Sequence, residues 1–142
     1  MAVKKILVGF DGSRGSFRAL DEAVQLAGLC HAEVHTISVI EIPHGPSSVD
    51  EVNEAKEEAE EKFQTALRKA RVIAESEGIE LQTTVTVYVG HEVKSIVAFI
   101  KHEQFDLLVI GVERHSALYD RVMGSTCQAL VRQAPCMVLV VK

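Results

Sequence analysis

The feature that most constrains this chain is a strict alternation of short β-branched runs with longer apolar stripes of helical period. Lys5 to Phe10 (Lys-Ile-Leu-Val-Gly-Phe) is a short apolar run ending at the turn cluster Asp-Gly-Ser-Arg-Gly-Ser, the pattern of a strand buried on both faces. Phe17, Leu20, Val24 and Ala27 then recur at helical spacing, with Ser16 as the expected N-cap. Glu33 to Ile40 is β-branched and strand-like. Glu41 to Ser48 carries two of the three prolines and is expected to be a mobile connection or lid. A long stripe follows from about Asp50 to Glu77 through Val52, Ala55, Ala59, Phe63, Ala66, Ala70 and Ile73, with Gly78 where a capping glycine belongs. Leu81 to Val89 alternates apolar and polar residues, as a strand near a sheet edge does. Val93, Ile96, Val97 and Ile100 mark a third helix, and Phe105 to Ile110 another buried strand ending at Gly111. Cys127, Leu130 and Val131 carry the fourth helix up to Pro135, and Met137 to Val141 is the last strand.

Strands and helices that alternate in this way predict a parallel sheet with helices on both faces and right-handed crossovers. The expected fold is α/β: one domain over residues 1–142, a three-layer sandwich around five parallel strands. In such sheets ligands sit beyond the carboxyl ends of the strands, where the strand order reverses. The site is therefore expected at the turns that follow the strands ending near Asp11 and Gly111.

Composition narrows the function classes. With 142 residues, 47% hydrophobic and 25% charged, the chain has the balance and length of an ordinary globular domain. Neither a disordered chain nor a disulfide scaffold fits. No apolar run approaches the ~20 residues that span a bilayer, and the apolar segment after Lys4 and Lys5 is too short for a signal peptide, so a cytoplasmic protein with no membrane partner is expected. The formal net charge is −5, which removes the basic footprint that nucleic-acid binding requires. Asp50, Glu51, Glu54, Glu57, Glu58, Glu60 and Glu61 cluster early in the long helix, where a solvated acidic face suits the helix dipole. Cys30, Cys127 and Cys136 lack C-x-x-C spacing and are expected to be buried, reduced thiols. His31 and His35 pass from a loop into a strand, so they share no helix face and no metal site is expected.

No catalytic motif is present. Gly9, Gly12 and Gly15 do not make G-x-G-x-x-G, no P-loop occurs, and Ser13 lacks the flanking glycines of a hydrolase elbow. The informative segment is Ile110 to Thr126. A buried strand ends in Gly111, a polar loop with Arg114 and Arg121 follows, and Gly124-Ser125-Thr126 opens a helix. Backbone N–H groups at a helix start bind anions, although an ordinary cap at Ser125 beside solvated arginines has the same sequence pattern.

From Lys5-Ile-Leu-Val-Gly-Phe-Asp-Gly-Ser13 to Ala134-Pro-Cys-Met-Val-Leu-Val-Val141 the whole chain resembles the universal stress protein family in its small single-domain form. The resemblance implies a Rossmann-like nucleotide-binding fold with strand order 3-2-1-4-5. The family's nucleotide-binding branch carries G-x2-G-x9-G-[ST]. Gly111, Gly124 and Ser125 fit that frame, whereas its second glycine is Arg114 here. Gly90-His-Glu92 likewise replaces the usual Gly-x-Pro.

By the same resemblance, Asp11 matches the aspartate beside adenine and ribose, and Val39 the position whose backbone reads the adenine edge. Gly111, Gly124, Ser125 and Thr126 match the turns that hold the phosphates, and Gly9 and Phe10 line the same mouth. The ligand implied is ATP or another adenine nucleotide, with or without magnesium. The implied assembly is a homodimer through residues 137–141, an apolar strand without internal charge of the kind that invites pairing. Three readings remain: a nucleotide-binding stress-response regulator, a protein-interaction module with an empty pocket and an unknown protein partner, and a slow ATP hydrolase. The last is the least supported, since beyond Asp11 there is no placed base or metal carboxylate. Arg114 decides between the first two, either as a charge-assisted phosphate ligand or as a plug.

Overall fold

A computed structural model describes residues 2–42, 48–89, 92–112 and 125–142. The elements run β1 (Lys5–Gly9), α1 (Arg14–Cys30), β2 (Glu33–Ile42), α2 (Val49–Ser76), β3 (Leu81–Val89), α3 (Glu92–Glu103), β4 (Leu107–Gly111), α4 (Ser125–Gln133) and β5 (Met137–Val141). The five strands form one sheet in the order β3-β2-β1-β4-β5, every neighbouring pair parallel. The order expected from the resemblance is the order observed, and the half-polar strand β3 is an edge as its alternation implied. β2 runs two residues further than the sequence reading, to Ile42. The rest of the proline-bearing connection, residues 43–47, lies outside the described residues. Among the described residues no helix is long and apolar enough to cross a membrane.

Alternating side chains send each central strand into two cores. Ile6 and Val8 of β1 point to α1 and α2, where they meet Leu20, Val24, Phe63, Leu67 and Ala70. Leu7 points the other way, with Leu108 and Ile110, onto Val93, Ile96 and Ile100 of α3 and Leu130 of α4. Residues 6–8 of β1 are fully buried, which is why that strand reads as a continuous apolar run. The α4 stripe is narrower than its spacing implied, since Val131 is 47% exposed.

The ends of α1 and α2 are set by side chains and left-handed residues. The Ser48 hydroxyl caps α2, accepting from Glu51 N at 3.1 Å, and Asp50 and Glu51 fill its first turn, where carboxylates oppose the helix dipole. At its other end Gly78 has φ +74°, and Ile79 N and Gly78 N donate to Ala74 O and Glu75 O, each at 2.9 Å. That double closure needs a positive φ at the capping residue, which glycine adopts without a Cβ clash. The cap of α1 is Ser13 rather than Ser16: Ser13 Oγ accepts from Ser16 N at 3.2 Å. Ser16 is buried inside the first turn and donates its hydroxyl to Ser13 O at 2.8 Å. The apolar period starts late in this helix because small residues, not large ones, occupy its buried first turn.

Two ionisable groups tie the sheet together on the side away from the site. Asp106 Oδ2 accepts from Lys4 N (2.8 Å) and Lys5 N (2.9 Å), and these bonds hold its carboxyl below the ordinary 3.8. His35 Nε2 and Thr84 Oγ1 share a hydrogen bond of 2.7 Å, with the imidazole set edge-on to Phe99 and Phe105. Burial lowers the His35 pKa from 6.5, a shift that Lys5 reinforces and Glu103 and Glu33 oppose.

Both shifts are downward, so both groups stabilise the fold on the alkaline side. For His35 the unfolded chain binds its proton first, so stability falls as pH drops below about 6.5. For Asp106 a second loss begins as pH drops below about 3.8. Thermal melts between pH 7.5 and 3 are expected to show both declines. His35→Gln should remove the upper one; a variant that keeps it unchanged contradicts the assignment.

Candidate functional site

The chain leaves β1 outward through β2 to β3, then returns to β4 on the other flank of β1. The strand order therefore reverses between β1 and β4, and a cavity of about 100 Å³ opens there at their carboxyl ends. It is lined by Gly9, Phe10, Asp11, Ser13, Ser16, Ile110, Gly111, Thr126, Cys127 and Leu130. Of the residues expected from sequence, Gly9, Phe10, Asp11, Gly111 and Thr126 are thus brought together. Ser125, exposed, is the first residue of α4 beside them. Val39 lies on β2, opposite Thr86 of β3, and packs against the α3/α4 core without lining the cavity. Arg114, Gly124 and Gly90 fall outside the described residues.

Each lining group has a local reason for its position. Phe10 donates N–H to Ile37 O (3.0 Å) and accepts Ser38 Oγ at its carbonyl (2.7 Å). Its ring is buried edge-on against Phe17 at 5.1 Å. With both backbone groups used, Phe10 supports the site rather than binding a ligand. The next residue, Asp11, is exposed, and its Oδ1 accepts from Ser13 N at 2.9 Å. This bond and Gly12, at φ +83°, turn the chain into α1 and fix the Asp11 carboxylate at the mouth. Its Oδ2 carries no hydrogen bond among the described residues.

Across the cavity, the end of β4 lies backbone against backbone on the first turn of α1. A Cβ on Gly111 would stand 1.9 Å from Gly15 O and 2.3 Å from Gly15 C. Glycine at 111 is thus demanded by strand–helix packing, whatever ligand the loop takes. Arg18 reinforces the same junction, donating Nη2–H to Val112 O at 2.7 Å, and Val112 N donates to Val141 O at 3.1 Å. The sequence reading missed Gly15, Ser16, Arg18 and Ser13 as parts of this junction. Three small residues within Ser13–Ser16 were the available signal, because only small side chains let a strand end sit on a helix's first turn.

Electrostatically the two helix starts differ. The α1 start is already served by Ser13 Oγ and Asp11 Oδ1, which place oxygen and negative charge there. The α4 start has no acidic residue in its first turn and exposes Ser125 and Thr126. An anion is thus favoured at α4, at the positive end of the helix dipole, and a hydroxyl donor at Asp11. Cys127 is buried on the cavity wall, and burial pushes its thiol up, as it does that of Cys136. Cys30 departs from expectation: it is exposed, being the last residue of α1. Among the described residues no three His, Cys, Asp or Glu side chains are grouped to hold a metal ion.

The model of the universal stress protein family matches residues 2–142. The universal stress protein MJ0531 of Methanocaldococcus jannaschii is 31% identical over 141 residues, 98% of this chain and 82% of that protein. Universal stress protein YxiE of Bacillus subtilis is also 31% identical, covering 97% of this chain and 98% of its own. Among solved structures, a universal stress protein crystallised in complex with cAMP superimposes with a TM-score of 0.77 at 27% identity, over 100% of this chain and 99% of that one. The universal stress protein UspA from Lactobacillus plantarum gives 0.79 at 25% identity, with the same coverage. Fold, strand order and sequence agree, and the chain belongs to the universal stress protein family.

Proposed function

We propose that this protein binds an adenine nucleotide, ATP foremost, at the cavity between the first turns of α1 and α4, and acts as a stress-response regulator rather than as an enzyme. The observation that carries the reading is the pairing of the exposed Asp11 carboxylate with an acid-free helix start at Ser125 and Thr126 across one strand switch point. That pair matches the two ends of a nucleotide: hydroxyls on the ribose and anionic phosphates. A cavity of about 100 Å³ takes phosphate rather than a whole nucleotide, whose drug-sized sites run to ~300 Å³ or more. Ribose and base then lie outward, over Asp11 and the end of β2, where Val39 backbone meets the adenine edge. The relative solved with cAMP supports an adenine ligand on this fold.

Arg114 supplies a charge-assisted phosphate contact in place of the motif glycine, and Arg18 adds a fixed cation behind Val112. Magnesium, where present, rides on the phosphates, because Asp11 is the one carboxylate lining the cavity among the described residues. Among the described residues no base other than Asp11 lines the cavity to activate water, and hydrolysis is slow or absent. The setting is cytoplasmic. The active form is a homodimer through β5, an uncharged edge strand with Met137 40% exposed.

Two measurements test this reading. Mass spectrometry of material released from the denatured protein, after equilibration with about 1 mM ATP and rapid desalting, should find adenine nucleotide in stoichiometric amount. Protein that retains none and gives no binding signal at that concentration refutes the ligand and leaves the interaction-module reading. Sedimentation at micromolar concentration should give a dimer, and only a species of the 15.6 kDa chain mass refutes the assembly.

A further inference from the structure

The opposite edge of the sheet is as open as β5 and longer. Among the described residues β3 pairs only with β2, and its nine residues, Leu-Gln-Thr-Thr-Val-Thr-Val-Tyr-Val, contain no charge, proline or glycine. Proteins normally blunt such an edge with lysine, proline or a bulge. Beside it, α2 forms one wall of a groove of about 510 Å³, lined by Glu57, Glu60, Gln64 and Arg71 of the helix and Thr83 and Val85 of the strand. The 28-residue helix is electrically divided. Residues 49–61 carry seven acidic side chains and one lysine, and residues 62–76 carry four basic side chains and one acid.

That division is self-complementary. About Gln64, Glu57 and Arg71 stand seven residues to either side, and Glu60 and Arg68 four to either side. A second copy turned by a twofold axis at Gln64 lays its α2 antiparallel beside the first. Glu57 then meets Arg71 of the second copy and Glu60 meets its Arg68, each contact occurring twice, with Gln64 facing Gln64 on the axis. The strand agrees with the helix. Arg71 Nη2 donates to Thr83 Oγ1 at 2.9 Å, which fixes their relative level. Seven helical residues back to Gln64 rise about 10 Å, or about three strand residues, reaching the middle of β3 beside Val85. One axis therefore serves antiparallel β3–β3 pairing and the α2–α2 charge match together.

We infer that β3 and the flank of α2 form a second self-association surface, on which a second copy of this chain docks about a twofold axis at Gln64 and Val85. It is separate from β5 and independent of any ligand. A chain using both edges continues its sheet through successive copies, so mass grows beyond a dimer with concentration.

The test uses the full chain in a Cys30→Ser background. Gln64→Cys places two thiols on the axis, and mild oxidation is expected to convert it to disulfide-linked pairs at protein concentrations where Glu54→Cys, displaced from the axis, is not linked. Arg68→Glu/Arg71→Glu and Glu57→Arg/Glu60→Arg should each weaken association about tenfold at low salt. Mixed together, the two variants should associate with each other, with circular dichroism confirming that both are folded. Absence of the Gln64→Cys cross-link overturns the inference. So does sedimentation of the mixture that matches its separated components, or a groove that takes up an added lysine-rich peptide while the chains stay apart.

Discussion

Gly111→Ala is expected to cost about 3 kcal/mol or more of stability, at the upper end of what overpacking causes. The added methyl would stand 1.9 Å from Gly15 O, and neither side can yield locally. Gly15 O is helix backbone in the first turn of α1, while Gly111 is tied into the sheet opposite Val141 of β5. The helix must therefore separate from the strand, and Ser13, Ser16 and the Arg18–Val112 bond move with it. For a chain of this length the melting temperature should fall by about 10 °C or more, in protein never exposed to nucleotide. A variant melting within a few degrees of the parent would show that the β4–α1 junction is looser than described. The prediction also separates two duties of one residue. The resemblance matches Gly111 to a turn that holds the phosphates, but its missing side chain is already required by Gly15.

Thr126→Glu is expected to leave stability near the parent's and to weaken ATP binding about a hundredfold, or roughly 2.7 kcal/mol. Thr126 is exposed on the first turn of α4 and lines the cavity. A carboxylate there favours the helix itself, because negative charge opposes the dipole. The same carboxylate occupies the positive helix end and repels a phosphate a few ångströms away, where unit charges interact by about 4 kcal/mol at an effective dielectric of 20. Adenosine, lacking phosphates, should lose far less. Equal losses for ATP and adenosine in calorimetric titrations would move the phosphates away from α4.

The fold was legible in the sequence where burial imposes a period. β1 and β4 read as continuous apolar runs because both faces are covered, and β3 as an alternation because it is an edge with one polar face. Gly78 marked its helix end because only a residue tolerant of positive φ fits there. The start of α1 was misplaced by three residues, at Ser16 instead of Ser13. An N-cap was sought just before the first large apolar residue, and here the first turn is buried through small ones. Cys30 failed for the reverse reason, since residue type carries no information about a helix end that overhangs its core. Val131 obeyed the helical period of α4 and is still exposed.

The place of the cavity between β1 and β4 was legible through strand alternation and the switch-point rule. Its frame residues came from the family resemblance. The supporting contacts, Gly15 against Gly111 and Arg18 against Val112, join positions about a hundred residues apart, and no local pattern announces them. Asp11, matched by the resemblance alone, has one carboxylate oxygen taken up by Ser13 N–H at the start of α1.

The most direct test of the central claim is isothermal calorimetry of the parent chain with ATP, ADP, AMP and adenosine at ligand concentrations up to about 1 mM. Saturable binding of ATP near one nucleotide per chain is predicted, with affinity falling as phosphates are removed. Absence of saturable heat for all four ligands, in protein shown to carry no nucleotide already, would contradict it.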